Sequence, residues 1–325
     1  MLPRTVRSSL ALVLLVMALL AAATPATSAE PWPIAPIRMI VPFAPGGSND
    51  VIARYMSQYL AKSLGQSVVV ENRAGGGSTI GAQALAASPP DGYTYMFVSG
   101  SLATSAAVQK TPYDPIKAFD AVSQVAVAPF VIITREGFPA KNVLEFVAYA
   151  KANPRKINYG TAGLGNSTEL ITELFSTIAG IRMTAIGYKG IAPAQMDLVA
   201  GRLDIVITTM ASTRGTTADK LPKIAFTSAK RDPEFPNVPT VREAGIDYVV
   251  DVWWGVFAPA GTPAAIRDRM NKEIAGVVAI PEFAAFVKLN GAMPVSSTPQ
   301  ALHDLYVQDI VRWTETAKRA GIQQQ

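Results

Sequence analysis

Twice in this chain a short apolar run ends in a glycine-rich turn that opens directly into a helical pattern, and no other feature restricts the fold as much. The first unit runs from Ile37 to Phe43 into Pro45-Gly46-Gly47-Ser48-Asn49-Asp50-Val51. It continues as a helix over Asp50 to Leu64, with Val51, Ile52, Tyr55, Met56, Tyr59 and Leu60 at helical spacing. The second runs from Lys156 to Tyr159 through Gly160-Thr161-Ala162-Gly163-Leu164-Gly165-Asn166-Ser167 into a helix over Thr168 to Ala179. A strand that ends this way aims free backbone N–H groups at one point, with the positive end of a helix dipole behind them. Each turn is therefore an anion socket. Two sockets without catalytic side chains beside them imply a receptor for a small carboxylate.

The rest of the chain continues the strand–helix alternation, which predicts an α/β fold built on mostly parallel sheets. Ser67 to Glu71 and Tyr93 to Val98 read as strands around a helix over Thr79 to Ala87. The strand exit at Ser99-Gly100-Ser101 should face the first socket, because ligands in such sheets gather beyond the carboxyl ends of strands. After Tyr113-Asp114-Pro115 the apolar stretch Val122 to Thr134, interrupted by Pro129, is suited to leave one sheet and enter another. A second unit then has helices over Val143 to Ala152 and around Gln195 to Ala200, with strands at Met183 to Ile186, Ile205 to Thr208 and Ile224 to Thr227. Val249 to Ala258 crosses back, and helices at Pro263 to Val278, Pro281 to Leu289 and Pro299 to Arg319 pack on the first unit. This divides the chain into a leader (1–29), a first lobe (30–127 and 251–325) and a second lobe (128–250). Two crossings allow the lobes to rotate about a pair of strands and close over a ligand.

The leader is read from Arg4 and Arg7, the apolar run Leu10 to Ala23 and the small residues Ala26-Thr27-Ser28-Ala29, the order of a secretory signal peptide cleaved near Ala29. Its removal lowers the formal net charge from +5 to +3, the two arginines accounting for the difference. With no basic run, nucleic acid is not an expected partner. There is no cysteine, which excludes disulfides, thiolate nucleophiles and iron–sulfur clusters. The single histidine, His303, lies in the amphipathic pattern near the C-terminus, far from both sockets, which argues against a metal centre or a Ser-His-Asp triad. No G-x-S-x-G elbow or phosphate loop occurs, and Thr168 stands where a dinucleotide fingerprint would need its last glycine. No cofactor, metal or catalytic residue is expected. An enzyme using Asp50, Glu169 or Asp204 as acid and base remains the alternative from another class, and a ligand-sensing receptor for a signalling partner is a further one.

Pro36-Ile37-Arg38-Met39-Ile40-Val41-Pro42-Phe43-Ala44-Pro45-Gly46-Gly47-Ser48-Asn49-Asp50 closely resembles the opening of the Bug family, periplasmic solute receptors of tripartite tricarboxylate transporters. The likeness continues through Val70-Glu71-Asn72-Arg73-Ala74-Gly75, Pro90-Asp91-Gly92-Tyr93-Thr94, Gly187-Tyr188-Lys189-Gly190, Pro239-Thr240-Val241-Arg242-Glu243-Ala244-Gly245 and Ala258-Pro259-Ala260-Gly261-Thr262-Pro263. The resemblance implies a two-lobed Venus-flytrap protein, monomeric and periplasmic. Such a protein binds a small organic mono- or dicarboxylate, amino and aromatic acids included, and delivers it to inner-membrane permease subunits. It implies that the turns Phe43 to Asp50 and Thr161 to Thr168 clasp one carboxylate. Ala44, Gly47, Ser48 and Asn49 would donate from the first lobe, and Thr161, Gly163, Ser167 and Thr168 from the second. Phe43, Asp50, Ser99, Ser101, Gln195 and Asp204 complete the candidate ligand-binding set. Asp50 has two readings: it holds the loop through the free N–H groups of its own helical turn, or it contacts an amino or hydroxyl group of the ligand. Glu169-Leu170 stands where family members often carry histidine-leucine, and Glu169 either disfavours a second ligand carboxylate or supports its own helix N-terminus.

Overall fold

Strand β3 (Thr94–Ser99) is buried along its whole length and β1 (Ile37–Val41) everywhere but at Arg38, which is why both read as largely apolar runs instead of alternating patterns. The computed structural model describes residues 32–163, 165–319 and 322. The leader proposed for 1–29 and Leu164 of the second turn lie outside the described residues. Residues 35–325 form one unit by themselves, and this unit holds every strand and helix among the described residues.

Two sheets carry the fold. The first has six strands in the order β11-β4-β10-β3-β1-β2, where β2 is Val68–Asn72, β4 Phe119–Pro129, β10 Asp251–Pro259 and β11 Met293–Pro294. The second has five, β7-β6-β8-β5-β9, from β5 (Val131–Thr134), β6 (Asn158–Thr161), β7 (Thr184–Gly187), β8 (Ile205–Thr208) and β9 (Lys223–Phe226). Between and around these strands run helices α1 (Ser48–Leu64), α2 (Thr79–Ala86), α3 (Ser101–Val108), α4 (Val143–Ala152), α5 (Ser167–Ala179), α6 (Ile191–Val199), the single turn α7 (Met210–Thr213), α8 (Ala264–Val278), α9 (Pro281–Leu289) and α10 (Pro299–Arg319).

The α/β fold on two sheets is as the sequence predicts, but the sheets are mixed. β1 pairs in parallel with β2 and β3, and β6 with β7 and β8. The pairings of β4, β5 and β10 are all antiparallel. The reason is connectivity. A parallel neighbour needs a crossover helix between the two strands, whereas β4, β5 and β10 carry the chain from one sheet to the other and meet their neighbours head to tail. A single residue, Phe130, separates β4 from β5.

Helix boundaries follow local chemistry. At α4, Asn142 accepts from the Glu145 N–H while the Glu145 carboxylate accepts from the Lys141 N–H, a reciprocal cap. Proline opens α9, where its missing N–H costs nothing. Helix α3 was not legible in the sequence. Its residues Ser101 to Ser105 are all buried, so Ser-Leu-Ala-Thr-Ser-Ala-Ala-Val carries no polar face to set a helical period. Helix α6 starts at Ile191, four residues before the predicted one.

The first turn is held by Asp50. Its buried carboxylate accepts from the Gly46 N–H (3.0 Å), Arg54 Nε (2.9 Å) and Asn72 Nδ2 (2.9 Å). Asn72, at the end of β2, also donates to the Phe43 carbonyl, so both ends of the turn are tied to the neighbouring strand. Burial acts to raise the Asp50 pKa, but the hydrogen bonds from Arg54, Gly46 and Asn72, with the Arg54 charge, hold it below the usual carboxylate range. A group whose folded-state pKa is depressed stabilises the fold above its unfolded value, about 3.9, and loses that contribution as the pH falls through the folded value. Asp50→Asn should therefore lower the stability at neutral pH by about 1.5–3 kcal/mol, the usual worth of hydrogen bonds to a charged group. The gap to wild type should narrow as the pH drops below about 4. Urea denaturation of both proteins across that range checks this, and a gap independent of pH would contradict it.

Candidate functional site

Helices α1 and α5 begin with the same device on opposite sides of one cleft. The N-cap of α1 is Gly47, so Ser48, Asn49 and Asp50 are its first three residues. The N-cap of α5 is Asn166, followed by Ser167, Thr168 and Glu169. In each, the third helical residue is acidic and reaches back to a glycine N–H four residues earlier: Gly46 to Asp50 at 3.0 Å, Gly165 to Glu169 at 2.6 Å. The carboxylates thereby consume part of each helix's positive end and fix the turn. Burial raises the Glu169 pKa, against the Gly165 N–H that lowers it, and the nearby Glu173 charge adds to the rise.

Between the two helix starts lies a cavity of about 30 Å³. Phe43, Gly47, Ser48 and Asn49 border it from the first turn, and Ala162, Asn166, Ser167 and Thr168 from the second. Strand ends and crossings supply the remaining wall. These are Ser99 after β3, Thr208 and Thr209 after β8, Ile191 at the start of α6, Phe130 between β4 and β5, and Val252 and Trp254 on one face of β10. None of these side chains is charged. Nine are serine, threonine, asparagine or tryptophan, giving neutral polar groups set in an apolar wall.

The lobes touch around this cavity. The Ala44 N–H donates to the Lys189 carbonyl across the cleft (3.0 Å), and Ser105 Oγ lies 2.9 Å from the Gly77 carbonyl and 3.4 Å from that of Gly165. Gly163 has φ +125°, and a Cβ there would sit 3.2 Å from the backbone nitrogen of Gly77. Only glycine permits both this conformation and this approach.

Of the residues singled out from the sequence, Phe43, Gly47, Ser48, Asn49, Ser99, Ser167 and Thr168 border the cavity. The others stand behind it. The Ala44 N–H is taken by Lys189. The Thr161 hydroxyl accepts from the Gly163 N–H, which occupies both residues. Ser101 Oγ lies 2.9 Å from Ser99 Oγ, supporting it from below. Gln195 donates to Ser212, whose hydroxyl lies 2.8 Å from that of Thr208. Asp50 serves its own turn.

Asp204 is a correction. It precedes β8, at the opposite end of that strand from Thr208, and accepts from Arg135 Nε and the Asn158 N–H, both at 2.9 Å. Strand direction excludes it from a cleft built at carboxyl ends. Ser48, a serine in a turn that could have served as the N-cap, is instead the first helical residue of α1, behind Gly47. Sequence reasoning missed Asn166 and Thr209, though both had a signal. An asparagine just before a helix is a preferred N-cap, and Thr209 follows a strand pointed at the cleft. Phe130, Ile191, Val252 and Trp254 had none, since they arrive through the lobe crossings and a helix start that the apolar pattern misplaced.

Residues 52–322 match the tripartite tricarboxylate transporter family receptor. The BugT protein of Bordetella pertussis is 36% identical over 90% of this chain and 92% of its own length. The solved periplasmic binding protein BugD is 35% identical with a TM-score of 0.87, over 90% of this chain and 100% of that one. A Rhodopseudomonas palustris protein solved with adipate is 34% identical with a TM-score of 0.85, over 89% and 98%. Two sheets joined by crossing strands, helix starts converging on one cleft and these matches along nearly all of the chain have one meaning: the protein belongs to the tripartite tricarboxylate transporter receptor family.

Proposed function

We propose that this receptor is exported, binds one small organic carboxylate in the cleft between its lobes, and hands it to membrane permease subunits. The observation that carries the reading is the convergence of two helix starts on a cavity without charged side chains. The N–H groups of Ser48, Asn49 and Ser167 have no acceptor within their own helices, and the dipoles behind them favour an anion. The relative solved with adipate supports a carboxylate as that anion. In this reading Gly47, Ser48, Asn49 and Ser167 hold the carboxylate, Phe43 and Ser99 flank it, Thr168 borders it with its N–H and hydroxyl given to Asn166, and the remaining candidates keep those residues in place. The lobes are 30–127 with 251–325, and 128–250.

Binding should be stoichiometric and indifferent to chelators, read by calorimetry on protein stripped of carried-over ligand. A chelator that abolishes binding would contradict it. Gly47 has φ −80° and ψ 168°, open to any residue, but a Cβ there would lie 3.3 Å from Ile191 Cγ2 across the cleft. Gly47→Val should therefore fold normally and lose binding almost completely. Ser48→Ala should weaken binding by about 1.5–3 kcal/mol, while substitution of His303 changes nothing. Wild-type affinity in a folded Gly47→Val variant would remove the first turn from the site.

A cavity of about 30 Å³ is roughly tenfold smaller than the ~300 Å³ at the low end of ordinary ligand sites, so we expect the lobes to part to admit a ligand. Small-angle scattering should give a larger radius of gyration for stripped protein than for protein saturated with ligand, and identical profiles would indicate a rigid cleft. Export predicts a mature protein beginning near Glu30. N-terminal sequencing that recovers Met1 on a membrane-bound species would contradict that.

A further inference from the structure

Three buried polar atoms with no hydrogen-bond partner belong to residues that border the same cavity: Asn49 Oδ1, Thr209 Oγ1 and Trp254 Nε1. All three residues are at least nine-tenths buried. A polar atom removed from water without a partner costs its full desolvation, and native proteins retain few of them. Their placement on facing elements is therefore informative. Trp254 lies directly opposite Ser99 in the β3–β10 pairing, so the two side chains leave the sheet on the cleft side. Its neighbour Trp253 points the other way and donates to Asp309 at 2.7 Å. Asn49 comes from α1 in the first lobe and Thr209 from the end of β8 in the second, so lobe closure brings the three side chains to one cavity.

Their chemistry differs from that of the helix starts. The indole N–H only donates, the asparagine oxygen only accepts, and the threonine hydroxyl does either. No cation stands with them. Among the described residues no charged side chain borders the cavity; Asp251 and Asp309 border an adjoining void that shares Phe130, Ser167 and Val252 with it, where Arg312 is paired with Asp309 at 2.9 Å. A second ligand carboxylate here would meet at most two neutral donors, no cation, and an asparagine oxygen that can only accept. An uncharged hydroxyl can accept from Trp254 and donate to Asn49 or Thr209.

We propose that Trp254, Thr209 and Asn49 form a neutral subsite that selects hydroxylated monocarboxylates over both unsubstituted acids and dicarboxylates. The proposal rests on the carboxylate reading of the two helix starts, since the ligand's acid group must be placed there. The relative solved with adipate accepts a dicarboxylate, so this selection would be a property of the present chain's own wall.

Calorimetry on stripped protein with butyrate, each of its monohydroxylated derivatives, and succinate tests the proposal. At least one hydroxylated acid should bind about tenfold or more tighter than butyrate and succinate, because a site built to hydrogen-bond a hydroxyl rejects analogues lacking it. Trp254→Phe keeps the ring and removes the N–H, and Thr209→Val keeps the shape and removes the hydroxyl. Each should bring that preference below about threefold, through a loss of affinity for the hydroxylated acid. Thr209→Val, being nearly isosteric, keeps the test valid should Trp254→Phe fail to fold. Succinate as the tightest ligand, or a preference that survives both substitutions, overturns the proposal. Butyrate bound without discrimination overturns the subsite alone, whereas no binding of any acid overturns the carboxylate reading as well.

Discussion

The antiparallel pairing of β4 with β10 is the constraint on which the cleft depends. β4 leads the chain out of the first sheet through Phe130, and β10 receives it back, from Asp251 opposite Pro129 to Pro259 opposite Phe119. Because the two strands are paired along their whole length, the positions at which the chain leaves and re-enters the first sheet are neighbours. The second sheet is consequently attached at one place, and its helix α5 meets the cavity from the side opposite α1. The same pairing sets Val252 and Trp254 on the cleft face beside the end of β3, where they become a wall.

The two helix starts, as the proposed carboxylate site, would bind an anion without a cation. Asp50 and Glu169 each take the N–H of a glycine in their own turn, which fixes the loop and leaves the N–H groups of the first helical residues aimed at the cavity. The arrangement is similar on the two sides but its charge is not balanced equally. Asp50 is met by Arg54 and Asn72, whereas Glu169 has Glu173 as its charged neighbour. The first turn is thus the firmer half of the clasp, anchored to β2, and the second relies on the Asn166 cap with its hydrogen bonds to Thr168.

Backbone groups take part in the contact between the lobes. The Ala44 N–H reaches the Lys189 carbonyl, Ser105 bridges toward the carbonyls of Gly77 and Gly165, and Gly163 lies against Gly77.

Local order was written in the sequence. The strand–turn–helix units at Gly46-Gly47 and Gly163 to Gly165, the helices over Val143–Ala152, Pro281–Leu289 and Pro299–Arg319, and the strand Ile205–Thr208 could all be read from apolar period, glycine and proline. These signals are legible because they concern neighbours along the chain. Tertiary structure alone decided the rest. It made the crossover strands antiparallel, buried the periodless helix α3, and turned Asp204 to the wrong end of its strand. It also brought Phe130, Ile191, Val252 and Trp254 to a cavity whose other residues are far away in sequence. Which side chains share that wall depends on sheet order and lobe closure. Those follow from burial summed over both lobes, and no short stretch of sequence records that sum.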